Sequence, residues 1–255
     1  MEYRIRTDLF RPFAVLALAG AVSLLVSVAV AASAYRGRGR DATREGRTLS
    51  VKGLAVKRVR SDIGVWQIAV RGEAQELKDA YGKLDAGFQR VRGFLRERGF
   101  PEAEIGVGAI DTVTHYKSEG YKETTREVLG YSLKRSLTVT SGTVERISGA
   151  AAEVTRLIGE GVLVISSAPE YHFSGLGALK VELMGLAAQD ARTRADELAG
   201  NAGGRVGELQ DAQMGVVQIT QPHSTETSGY GVYDTDTIEK DVRAVVTVTF
   251  RVEQP

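Results

Sequence analysis

Tyr131-Ser132-Leu133-Lys134-Arg135-Ser136-Leu137-Thr138-Val139-Thr140 alternates polar and apolar side chains along most of its length. Successive residues of a strand point to opposite faces, so Ser132, Lys134, Ser136, Thr138 and Thr140 share one face and Tyr131, Leu133, Leu137 and Val139 the other. This pattern predicts a sheet that is wet on one side and covered on the other, as antiparallel sheets commonly are. Helices are therefore expected on one face only. The fold class follows as α+β, with antiparallel sheets and helices packed on one face.

The neighbouring stretches fit that frame. Thr48–Lys57 and Ile63–Arg71 read as strands, the second rich in Val, Ile and Trp, and are expected to pair through a turn at Arg60-Ser61-Asp62. A helix is expected from Gln75 to Arg98, where Leu77, Tyr81, Leu84, Phe88, Val91 and Leu95 recur at spacings of four and three. Gly99 supplies its left-handed cap, and Pro101 prevents continuation. Ile105–His115 reads as a further strand, Val144–Ile158 as a helix closed by Gly159 and Gly161, and Val162–Phe173 as a short strand region.

A third helix, Ala178–Ala202, is expected to bury Leu179, Leu183, Ala187, Ala191, Ala195 and Leu198. Small residues in that row allow close approach to a sheet or another helix. Another strand begins at Arg205, after Gly203-Gly204. The last strand is the clearest, with Val242, Ala244, Val246, Val248, Phe250 and Val252 set against Arg243, Thr247, Thr249 and Arg251. Two polar stretches, Lys117–Glu127 and Gln221–Glu239, read as mobile hairpin excursions.

The N-terminus carries a different signal. Phe13–Ala34 has no charged residue and is flanked by Arg4, Arg6 and Arg11 on one side and Arg36, Arg38 and Arg40 on the other. About 20 apolar residues span a bilayer core as a helix, so residues 13–34 suit a membrane anchor. Small residues at Ala29-Val30-Ala31 and Ala32-Ser33-Ala34 leave a cleaved signal peptide as the alternative. Residues 1–35 are thus expected to form the anchor or signal segment, 36–47 a basic linker, and 48–253 the folded body. Arg36, Arg38 and Arg40 are placed to meet anionic lipid headgroups. The larger number of basic residues downstream would by itself hold the body in the cytoplasm, although long domains often translocate regardless of this bias.

With 33 Lys and Arg against 32 Asp and Glu, the net charge is +1. Much of the basic excess lies in the linker region, which argues against nucleic-acid binding. The chain has no cysteine, so thiol catalysis and cysteine metal sites are excluded. His115, His172 and His223 are never paired at metal-ligand spacing. Asp234 and Asp236 begin like a calcium loop but lack its glycine and terminal glutamate. No phosphate-binding glycine motif occurs, and Ser166, Ser167 and Ser174 have no nucleophile elbow around them. The expectation is no catalytic residue, no cofactor and no metal.

Several stretches together resemble the SIMPL-domain family. They are Val51-Lys52-Gly53-Leu54-Ala55 leading to Ser61-Asp62-Ile63-Gly64-Val65-Trp66, the Gly99–Ile105 connection, Gly130-Tyr131-Ser132, Tyr171-His172-Phe173-Ser174-Gly175-Leu176, and Ala191-Arg192-Thr193-Arg194-Ala195 leading to Gly203-Gly204-Arg205-Val206-Gly207. The resemblance implies a non-enzymatic α+β body in the periplasm, tethered to the inner membrane by a single pass or released after signal cleavage. It also implies oligomer formation in some members and, in a bacterial branch, a link to oxidative-stress defence. The expected partners are a second copy or another envelope protein. The other reading is a small-ligand binding protein or enzyme using a cleft between helices and sheet.

Overall fold

Hydrophobic alternation builds two antiparallel sheets, seen in a computed structural model that describes residues 47–119 and 123–253, together with Ser27, Val28, Val30 and Ala32. The side chains of 118–126 are outside that description. So is most of the stretch expected to enter the membrane, and all of the basic linker except Arg47. Among the described residues, no helix is long and apolar enough to cross a membrane.

The strands are β1 (Thr48–Arg60), β2 (Ile63–Ala74), β3 (Ile105–Glu119), β4 (Glu123–Ser141), β5 (Leu163–Ser166), β6 (Glu170–His172), β7 (Arg205–Met214), β8 (Gln218–Thr220) and β9 (Glu239–Glu253). The helices are α1 (Leu77–Glu97), α2 (Val144–Glu153) and α3 (Leu176–Asn201), and a 3-10 segment over Val154–Glu160 continues from α2. One sheet has the order β3-β4-β2-β5, with β6 also on β2. The other has β1-β9-β7, with β8 also on β9. By contact the chain forms a larger unit, Lys52–Arg192 with Gln213–Thr247, and a smaller one whose described residues are those up to Val51, Thr193–Ala212 and the chain from Val248 on.

In the larger unit the covered face of β2 and β4 makes the main core. Trp66 lies opposite Val139, Ile68 opposite Leu137, and Gly72 opposite Leu133. Leu84, Phe88, Val91, Phe94 and Leu95 of α1 close over them, with Ile147 of α2 and Leu157 beside them. Gly72 is a close-approach position, since a Cβ there would lie 2.2 Å from the Ala80 carbonyl oxygen. The polar row Ser132, Lys134, Ser136 and Thr138 stays partly open to solvent, as its alternation predicts. In the other sheet, Gly53 of β1 plays the same part as Gly72, because a Cβ there would stand 1.9 Å from the Ala187 oxygen of α3.

Several expectations need correction. β1 and β2 do not pair and instead belong to different sheets. Arg60-Ser61-Asp62 has none of the glycine or asparagine that a tight hairpin needs, and its amides bond outward: Ser61 N–H donates to Ile238 O at 2.8 Å and Asp62 N–H to His172 O at 3.0 Å. On α1, Tyr81 is 51% exposed and Leu77 46%, while Ala80 is fully buried. The close approach at Gly72 turns the small Ala80 toward β2 and the larger Leu77 and Tyr81 to the flank. On α3 the buried row keeps a step of four, Leu179, Leu183, Ala187, Ala191, Ala195 and Ala199, and leaves Leu198 55% exposed. The Val162–Phe173 region is two short strands with Pro169 between them. Gly99 and Gly161 both take positive φ, 80° and 84°, as their helix-ending positions require.

Candidate interaction surface

Several of the residues with the greatest chemical potential are engaged in holding the fold. Trp66 Nε1 donates to Ser166 Oγ at 3.0 Å, fixing the buried indole against β5. Ser174 donates its N–H to Asp62 Oδ1 at 2.7 Å and its hydroxyl to Asp62 Oδ2 at 2.5 Å, just before α3 begins. That hydroxyl holds the Asp62 carboxyl below the usual carboxylate range. His172 Nε2 lies 3.6 Å from Glu170. His115 belongs to β3, and His223 sits at φ 65°, its N–H donating to Asp241 at 3.2 Å. Three histidines in three settings form no metal centre, and no metal-binding cluster occurs among the described residues.

The stretch from Gln221 to Glu239, expected to be mobile, is pinned at several points. Gln218, nearly buried on β8, accepts from Val232 N–H at 2.7 Å and donates through Nε2 to Ser228 O at 2.8 Å. Lys240 is 2% exposed, and its Nζ donates to Asp234 O at 2.8 Å and to Asp234 Oδ2 at 2.9 Å. Burial opposes ionisation of Asp234, but hydrogen bonds from Thr237 and Lys240 outweigh it and hold the carboxyl below its ordinary range. Asp234 thus serves a lysine, with Asp236 N–H donating to it at 3.4 Å. Asp241 accepts two bonds from Arg58, at 2.9 and 3.2 Å, and these chiefly lower its pKa. A charged residue this deep was not legible as an anchor in the sequence, because Lys240 sits among polar loop residues and carries no apolar signal.

The second polar stretch, Lys117–Glu127, is not a loop of that length. Strand pairing runs to Glu119↔Glu123, whereas the pairing of β2 with β4 stops at Ala74↔Tyr131. Beyond Tyr131, β4 therefore pairs with β3 alone, and the two project as an arm. Near its base Val113 is 55% exposed and Tyr116 47%, with Leu129 at 53%. Lys117 Nζ donates to Glu127 at 3.0 Å across it.

Two large open depressions among the described residues lie on the larger unit. A cleft of about 610 Å³ lies between α1 and the end of β2, lined by Arg71, Glu73, Lys83, Arg90 and Glu160 among others. Its charges are largely satisfied within the protein: Arg90 Nε donates to Glu160 at 2.6 Å and Lys83 to Glu73 O at 2.9 Å. The second, about 540 Å³, is more apolar and runs between Met184 of α3 and Met214, Val216 and Tyr230, the last fully exposed.

A family model described as SIMPL, protein of unknown function (DUF541), matches residues 49–250. No curated protein matches the chain.

Proposed function

The chain belongs to the SIMPL family, and from that premise we propose that it is a non-enzymatic, membrane-tethered envelope module that works by self-association or by binding another envelope protein. Residues 13–34 form its anchor, Arg36, Arg38 and Arg40 meet anionic headgroups, and the body faces the periplasm, where it takes part in oxidative-stress defence. The observation that carries this reading is the use of the side chains. Ser166, Ser174, Asp234 and Asp241 all serve as internal fasteners, while the arm of β3 and β4 presents apolar side chains to solvent.

A reporter active only outside the cytoplasm, fused after Pro255, tests orientation, and the mass of the mature N-terminus tests retention of the anchor. Native mass spectrometry of the full chain in detergent, with cross-linking in membranes, tests association. A monomer that cross-links to no envelope protein would sink the assembly reading.

The cleft beside α1 supports a second reading, a small-ligand binding protein or enzyme. Its volume of about 610 Å³ lies within the range of ligand sites. Arg71 and Lys83 would favour an anionic ligand. Titration with small carboxylates and phosphates, read by Tm, tests this, and no shift at millimolar ligand removes it.

A further inference from the structure

Edges of sheets are surfaces on which another chain can pair, and proteins usually blunt them. Most edges here are blunted. On β1, Leu54 N–H donates to Asp190 of α3 at 2.8 Å, and Lys57 beside it is bonded to Glu182. At the open end of β2, Lys83 occupies the Glu73 carbonyl. β5 and β6 are short and separated by Pro169.

The β3 edge differs. Among the described residues, no side chain caps the backbone from Ile110 to Tyr116, and the Arg135 bond to Gly108 O lies before this run. The register locates the irregularities. Val107 faces Leu137 and Ile110 faces Arg135, so the first bulge is on β3, at Gly108 and Ala109. His115 faces Gly130, Tyr116 faces Val128 and Ser118 faces Thr124, so the later extra residues are all on β4. From Ile110 onward β3 is thus an unbroken strand with an open edge.

Its side chains are also complementary to themselves. Two copies of β3 laid antiparallel about Thr114 bring Asp111 opposite Lys117 of the second copy, Val113 opposite His115, and Thr112 opposite Tyr116. That Lys117 would then hold Asp111 in addition to its own Glu127. Opposite charges directly across a strand pair are favourable, and the two-fold produces the Asp–Lys pairing twice. The exposed Val113 and Tyr116 gain cover in the same step. β7 is also an outer strand, but matching its Arg205 to Asp211 of a second copy would set two Glu208 carboxylates face to face, which is unfavourable.

We propose that a second copy of this chain docks on the free edge of β3, antiparallel and centred on Thr114, joining the two β3-β4-β2 sheets into one. This rests on the self-association reading and names its surface.

The absence of cysteine allows a direct test. In the full chain in detergent or membranes, T114C is expected to form a disulfide-linked dimer under mild oxidation. So is the double variant D111C/K117C. D111C alone and K117C alone are expected not to, because their copies would lie about 20 Å apart at roughly 3.4 Å per residue, beyond disulfide reach. V113K, which puts a charge on the edge at an exposed position, is expected to weaken dimerisation about tenfold while leaving Tm unchanged. Wild-type oligomers in native mass spectrometry without a T114C cross-link would overturn the β3 edge and leave self-association standing. Equal cross-linking of D111C and T114C would overturn the register, and with it the proposal. A strictly monomeric wild type at high concentration would remove both readings.

Discussion

The two polar stretches, Gln221–Glu239 and Lys117–Glu127, look alike in composition and behave as opposites. In the first, polar groups point inward, with Lys240 on Asp234, Gln218 on the Ser228 and Val232 backbones, and Arg58 with His223 on Asp241. In the second, strand pairing continues as far as Glu119 and Glu123, and the apolar side chains that flank the stretch, Val113, Tyr116 and Leu129, remain open. Polarity in a connecting segment therefore says nothing about which way its groups face. What decides is whether the rest of the fold offers buried partners. β8 and β9 offer them to the first segment, and nothing beyond Ala74 of β2 is paired with the arm.

The largest expected effect breaks the anchored side of that contrast. Lys240→Met leaves a buried Asp234 carboxylate without its cation, and losing one partner of a buried pair costs about 3–5 kcal/mol. Chemical denaturation should show this loss, and limited proteolysis should cut first between Gln221 and Glu239. Asp234→Asn combined with K240M should recover part of it, because the uncompensated charge is gone.

A smaller loss is expected from Gln218→Leu. The Val232 N–H and the Ser228 carbonyl lose their partners, and because both residues are only half-buried the cost is about 1–3 kcal/mol in total. Amide hydrogen exchange at Val232 should rise while exchange in the β2 core stays unchanged.

Acid sharpens the same comparison. The carboxyls of Asp234 and Asp241 are depressed in the folded chain. The stability they contribute is fully present above their unfolded values, near about 4, and is lost as pH falls through the folded ones. Proteolysis by an acid-active protease should therefore attack the Gln221–Glu239 segment increasingly below about pH 4. Asp241→Asn should weaken that pH dependence.

The smallest effect belongs to the arm. Replacing Lys117–Glu127 by Asn-Gly removes the outermost pairs of β3 with β4 and the exposed Lys117–Glu127 ion pair, so the unfolding free energy should change by no more than about 0.5 kcal/mol, the range usual for surface changes. A loss of several kcal/mol would mean that the arm carries weight in the single chain, and the contrast with the loop would collapse.

Much of the fold was legible because period-2 and period-3.6 patterns report burial directly. The alternation of Tyr131–Thr140, the even row of β9 from Val242 to Phe250, and the alanine row of α3 each predicted a face that is in fact buried. The end of that row was misplaced because Leu198 is the larger apolar residue, yet the step of four selects Ala199. The same preference for size hid Ala80, whose burial follows from the space left by Gly72. The expected pairing of β1 with β2 failed because adjacency in sequence does not say whether a two-residue connection reverses the chain or carries it to another sheet.

By itself the sequence determined the class of the fold, most of its elements and the exclusion of thiol chemistry, since these depend on residue types and local periods. Tertiary structure alone decided which polar residues are fasteners and which edge is left open. Those properties come from partners distant in the chain: Arg58 with Asp241, Asp62 with Ser174, Leu54 with Asp190. A hydrogen bond across such separations leaves no period to read, because each member is one residue whose neighbours in sequence do not share its environment.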